Sequence, residues 1–194
     1  MEERELVVLA QEGSEEAFSA LVRKYEKKVF NLAYGLTQNR ETADDLAQEV
    51  FFKAYSGLPK FHFKSEFGTW LYRVAVNRVR DYLRKRGRIK EISLETMPES
   101  VISQEDERLK REKEQVDEQR KALVHKVLQT LPPKYSLILA LRDIQGNSYE
   151  EISGILKISP GTVDSRLHRA RRMLRKKLEP FLSRRGGNYE VQQS

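Results

Sequence analysis

Apolar residues in this chain recur mostly three and four positions apart. That spacing lines one face of an α-helix and leaves no period-two strand pattern, so the expected fold class is all-α. The signal is sharpest from Ser148 to Leu178. Ser148 and Glu151 have the spacing of a capping box, and Tyr149, Ile152, Ile155 and Leu156 follow on one face. The pattern stops at Lys157-Ile158 and restarts at once. Ser159 is a natural N-cap there, and Pro160 takes the first helical position, where its missing N–H costs nothing. In the second helix Val163, Leu167, Ala170, Leu174 and Leu178 share an inward face, with Thr162, Ser165, Arg166, Arg169, Arg172 and Lys176 outside. A short helix, a tight turn and a longer helix with a basic, hydroxyl-bearing stripe make a helix-turn-helix, the second helix placed to enter a major groove.

A basic face can also be plain solvated surface, and charge bookkeeping weighs against that here. Residues 157–185 hold ten Lys and Arg against Asp164 and Glu179, a net of +8, which exceeds the +7 of all 194 residues. Such clustering is the footprint of phosphate binding. The absence of cysteine excludes disulfides and thiolate metal sites. His62, His125 and His168 lie far apart with no ligand spacing, so neither a metal site nor a cofactor is expected. The N-terminal stretch MEERELVVLAQEG lacks the apolar run of a signal peptide, and no segment nears the ~20 apolar residues of a membrane span. The expected location is the cytoplasm.

Along the chain, residues 3–12 read as a short helix ended by Gly13. Ser14 then caps a long one carrying Phe18, Leu21, Val22, Tyr25, Val29, Leu32, Ala33 and Leu36. Asn39 can cap the next, with Ala43, Leu46, Ala47, Val50 and Ala54 inward. Its other face shows Asp44, Asp45, Gln48, Glu49 and Lys53, which on composition alone is solvated surface. Gly57-Leu58-Pro59 breaks that helix. The loop KFHFKSEF interleaves cations with Phe61, Phe63 and Phe67, which suits either a single-stranded nucleic-acid platform or a loop whose rings plug the core. Thr69 to Arg86 forms a helix with Trp70, Leu71, Val74, Ala75, Val79 and Tyr82 inward and Thr69, Arg73, Asn77, Arg80 and Arg84 outward. Asn77 is a mediocre helix former, either incidental or selected for its amide. Gly87 closes this unit. Residues 87–120 are poor in apolar side chains and carry seven basic against ten acidic groups, as an exposed linker would. Leu123, Val127, Leu128 and Leu131, then a helix over Tyr135 to Arg142, complete a second unit of four helices with the helix-turn-helix. The last residues, GGNYEVQQS, read as a frayed tail.

The ordered set DDLAQEVFFKAY (44–55), FGTWLYRVAVNRVRDYLR (67–84) and SYEEISGILKISPGTVDSRLHRARRMLRKKL (148–178) resembles the sigma-70 family of RNA polymerase sigma factors. It is most similar to the extracytoplasmic-function class of envelope-stress type, which keeps two conserved regions. The resemblance implies two small helical domains: 1–86, binding core polymerase and the minus-10 element, and 117–182, binding the minus-35 element. A flexible linker at 87–116 and a tail at 183–194 complete the chain. It implies that Asp45, Gln48 and Glu49 dock on the β′ coiled coil of core RNA polymerase, with the β flap as a further contact. Lys60, Phe61, Arg73, Val74 and Asn77 would line or flank a pocket for an extruded minus-10 base. Ser165, His168 and Arg169 would read the minus-35 element, with Arg166, Arg171 and Arg172 as backbone contacts or supports. An anti-sigma factor, often membrane-anchored in this class, would hold the protein silent and near the inner membrane.

One position departs from the family pattern. Relatives often carry Lys or Arg where this chain has Asp164, which either accepts from a cytosine amino group or pairs with a neighbour such as His168. Two other function classes stand beside the sigma reading. A stand-alone regulator would bind its site tightly without polymerase, yet leaves the 44–84 pattern unexplained. A DNA-acting enzyme would need a nucleophile or clustered metal carboxylates, and Asp44-Asp45 and Glu105-Asp106-Glu107 lack that context. No catalysis is expected.

Overall fold

The structure, a computed structural model, describes residues 2–90 and 123–186, all of its regular elements being helical. Most of the linker expected at 87–116, and the end of the tail, lie outside the described residues.

The first region contains α1 (Glu3–Gln11), α2 (Glu15–Thr37), α3 (Arg40–Gly57), a 3-10 turn (Leu58–Lys60) and α4 (Phe67–Lys90). Gly13, at φ +100°, makes the bend from α1 into α2. The Ser14 side chain accepts from the Ala17 N–H, and Asn39 from the Thr42 N–H at 2.7 Å, so both helix starts are capped as the sequence indicates. Leu21, Val29, Leu32 and Leu36 of α2 and Leu46, Val50 and Ala54 of α3 close a core against Leu71, Ala75 and Val79 of α4.

The second region begins with a helix over 123–129, α5. It continues with α6 (Pro133–Leu139), which widens into a π-helical turn (Ala140–Ile144), then α7 (Tyr149–Leu156) and α8 (Pro160–Gly186). The capping box is present in full, Ser148 Oγ accepting from the Glu151 N–H at 3.1 Å and Glu151 from the Ser148 N–H at 2.6 Å. Lys157 ends α7 in the left-handed conformation, and Ser159 caps α8 through the Thr162 N–H.

Several expectations shift. Helix α4 starts two residues before Thr69 and runs through Gly87, where it was expected to stop; one glycine inside a helix of good formers costs only about 1 kcal/mol. The helix expected over Tyr135 to Arg142 starts at Pro133, whose ring suits the first turn, and loses regular winding at Ala140. Leu174 and Leu178 are only half-buried, because α8 outruns the helices that cover its first turns. Thr69 and Arg73, expected outward, are half-buried.

The reason is that the two regions touch. Helix α4 packs on α2 and α3 with one face and on α6 and α7 with another, which buries Tyr72 and Val76 as well as the expected inward residues. The last-turn carbonyls of α2, which have no partner within their own helix, are met by α5. His125 Nδ1 lies 3.2 Å from Gly35 O and Gln129 Nε2 donates to Thr37 O at 2.9 Å. The contact is not seamless. A cleft of about 760 Å³ runs between the regions past Tyr34, Thr69, Ile144 and Asn147, and Asn147 Oδ1 is buried there with no partner among the described residues.

Candidate nucleic-acid interface

Two basic helix faces carry the expected contacts. On α8, Val163, Leu167 and Ala170 are fully buried, which fixes the rotation of the helix and turns Ser165, His168, Arg169 and Arg172 outward together. These four occupy positions i, i+3, i+4 and i+7 and form one exposed stripe. Ser165 Oγ donates back to Thr162 O at 3.2 Å, leaving its lone pairs outward. Arg166 is half-buried on one flank of the stripe. Arg171, on the other, donates from Nη2 to Asp143 Oδ1 at 2.7 Å, and this bond raises its guanidinium above the ordinary arginine value. Arg171 therefore ties α8 to the turn after α6. Asp164 is exposed, about a quarter turn from the centre of the stripe on the His168 side, so it borders the stripe and does not head it.

The second face is on α4. Asn77 and Arg84 are exposed, and Asn77 Oδ1 accepts from Arg80 Nη1 at 3.3 Å. The upper half of the same stripe is covered. Arg73 Nε donates to Gly154 O of α7 at 2.8 Å, and a Cβ at Gly154 would meet the Thr69 methyl at 3.3 Å. Arg80 is held below its usual value, chiefly by burial and then by the like charges of Arg84 and Arg166. The basic faces of α4 and α8 are therefore near neighbours in this arrangement.

The loop before α4 supplies the remaining expected residues. Lys60 is exposed at the end of the 3-10 turn, and Val74 is half-buried on α4. Phe61 is only 5% exposed and packs on Trp70 and Phe67, with ring centroids 5.2 and 6.1 Å away. Of the two readings left open for the loop's rings, core plugging describes Phe61 and Phe67. Phe63 is the ring that remains at the surface.

The acidic face of α3 divides in the same way. Asp45 and Gln48 are exposed. The carboxylate of Glu49 accepts from Arg78 Nε of α4, a bond that lowers its pKa from the ordinary glutamate value. Phe52, seven residues beyond Asp45 and on the same face, is 73% exposed. Its spacing is readable in the sequence, which gives no sign that the ring stays outside. Gln11 of α1 was also missed: its amide donates to both Leu58 O and Phe61 O, at 2.9 and 2.8 Å. No sequence signal links positions about fifty residues apart. Among the described residues no cluster of His, Asp and Glu is placed to hold a metal ion, and no helix is long and apolar enough to cross a membrane.

Comparison with known proteins matches residues 21–89 to the Sigma-70 region 2 model and residues 121–174 to the Sigma-70, region 4 model. The RNA polymerase sigma-H factor of Pseudomonas aeruginosa is 37% identical over 185 residues, covering 93% of this chain and 96% of the relative. The ECF RNA polymerase sigma-E factor of Escherichia coli K12 is 35% identical over 183 residues, covering 92% and 95%. Among solved structures, the sigma factor RpoE in complex with the anti-sigma factor NepR from Bartonella quintana aligns with a TM-score of 0.57 at 26% identity, over 84% of this chain and 96% of that one. CnrH in complex with the cytosolic domain of CnrY aligns at 0.66 and 24% identity, over 92% and 97%, and shares the fold.

Proposed function

We propose a division of promoter recognition between the two helical regions, from the premise that the chain belongs to the sigma-70 family as an extracytoplasmic-function sigma factor. It is a transcription initiation factor and not an enzyme. In this reading residues 1–86 dock on core polymerase and capture the minus-10 element, and residues 117–182 bind the minus-35 element. Residues 87–116 connect them, and 183–194 form the tail. The observation that carries the reading is the pair of basic helix faces on α4 and α8, one on each matched sigma region.

The chemistry follows from the exposures. Ser165, His168 and Arg169 present donors and acceptors to base edges in the major groove, which carries sequence information. Arg166 and Arg172 reach the phosphates, which position without specifying, and Arg171 acts as a support through Asp143. In the first region Asn77 and Arg73 reach the unstacked strand from α4 and Lys60 tracks its backbone, while Phe61 and Val74 wall the pocket. Asp45 and Gln48 meet the β′ coiled coil, with Glu49 held by Arg78, and the second region meets the β flap.

The two promoter elements lie roughly 80 Å apart along the DNA, at about 34 Å per helical turn. Regions in contact cannot occupy both, so polymerase must separate them. An anti-sigma factor, membrane-anchored and thereby keeping the protein near the inner membrane, would hold it silent. The complex of the Bartonella quintana relative with an anti-sigma factor supports the partner class, though not the anchoring.

Mixing the chain with core polymerase and mapping the transcript starts genome-wide tests the function. Expected are shared minus-35 and minus-10 sequences upstream of the starts. Specific duplex protection by the chain alone, with no response to core polymerase, would favour a stand-alone regulator instead. Asn77→Ala is expected to reduce open-complex formation on those promoters at least ~10-fold while core binding is unchanged, as loss of one or two hydrogen bonds to a captured base would.

A further inference from the structure

We infer that Phe63 is a base-stacking residue of the loop before α4, presented to an unstacked nontemplate base by the N-terminal helix; this rests on the minus-10 reading of that loop. Three phenylalanines sit in the segment, and the structure treats them differently. Phe61 and Phe67 are 5% and 4% exposed, whereas Phe63 keeps 37% of its surface in solvent. Phe63 is also held at φ +54°, a left-handed conformation in which a bulky side chain is an outlier. Strain of this kind persists only where the surroundings over-determine it, and it gathers at binding sites. Burial repays it only in part, since over a third of the residue stays in solvent.

The surroundings that hold it come from α1. Gln11 fastens the loop backbone through Leu58 O and Phe61 O. The Arg4 guanidinium lies over the Phe63 ring, 5.2 Å from its centroid, and the Phe61 ring supports it at 5.0 Å with a 54° tilt. Lys60, His62 and Lys64, its neighbours in the sequence, are exposed. A ring among cations, joined through Phe61 and Trp70 to the Asn77-bearing helix, matches the chemistry of single-strand binding: the ring stacks on a base of any identity and the cations follow its phosphates. A duplex could not use it, because its bases are already stacked.

The test uses the full chain bound to core polymerase. The probe is a fork-junction DNA from a mapped promoter, with a single-stranded nontemplate overhang across the minus-10 element. Phe63→Ala and Phe63→Gly are expected to weaken fork-junction binding about 5- to 150-fold, the range for one lost base stack. Phe63→Tyr should stay within about twofold, because the ring is kept. Core affinity should not change, and melting curves should show both truncated variants folded. If Phe63→Ala binds like the parent while Asn77→Ala binds weakly, the stacking role is refuted and the minus-10 reading survives. If neither substitution weakens binding of a fork junction that the parent holds, both readings fall. Equal loss in Phe63→Tyr and Phe63→Ala would also overturn the stacking role.

Discussion

At Phe63 one backbone dihedral separates two kinds of contribution that a side chain makes. Left-handed φ costs a non-glycine residue about 1–2 kcal/mol, and the partial burial of the ring returns an amount of similar size. Phe63→Gly should therefore leave stability within about 1 kcal/mol of the parent or raise it, as urea melts would show. A glycine at a well-packed phenylalanine would cost about 3–5 kcal/mol. The Glu49–Arg78 pair gives a second residue-scale expectation. The Glu49 carboxyl titrates lower in the folded chain than its ordinary value of 4.5. Its stabilisation is thus complete above that value and fades as pH falls through the lowered one. Glu49→Gln should melt below the parent near about pH 7, and the gap should narrow as pH falls from there towards about 3. An equal gap at both values would remove the ion pair as its cause. Neither feature was legible beforehand: φ is not written in composition, and Arg78 reaches Glu49 from another helix.

Among the elements, the caps were the most readable part of the chain, because a cap is a local matter of three or four residues. Ser14, Asn39, Ser148 and Ser159 all cap the helices assigned to them. Ser148→Ala removes one side of the α7 capping box and should cost about 1 kcal/mol by chemical denaturation, with Ser148→Thr close to the parent. A loss under a few tenths of a kcal/mol would mean that tertiary packing alone holds α7. Helix α4 shows where local reading runs out. Its pattern gave the face on α2 and α3, but Tyr72 and Val76 looked unassigned and Thr69 and Arg73 looked free. Those four face the second region, and a helix buried on two sides has no single stripe to find. The helix starts at the candidate interfaces were legible for the same local reason, whereas the Arg73–Gly154 and Gln11–loop bonds depend on long-range packing.

Across the whole molecule the contact between regions combines apolar burial at Tyr72 and Val76 with side-chain-to-carbonyl bonds, and a cleft leaves it incomplete, as between domains that move relative to one another. Gly154 is one of its close-approach points, where an added Cβ would meet the Thr69 methyl at 3.3 Å and a branched chain would not fit. Gly154→Leu should enlarge the radius of gyration of the free chain in small-angle scattering and leave the α8 stripe untouched. An unchanged radius would mean that the contact yields around the added side chain. The Nε–H of Arg73 can serve only one acceptor at a time. If that donor belongs to the promoter, as proposed, DNA and the α7 carbonyl compete for it, and thermodynamic reciprocity ties their strengths. Every factor by which the closed form is favoured discounts the apparent affinity of the free chain for an opened promoter by the same factor. Weak binding in isolation would then measure how firmly this chain holds itself shut, and not how well it reads DNA.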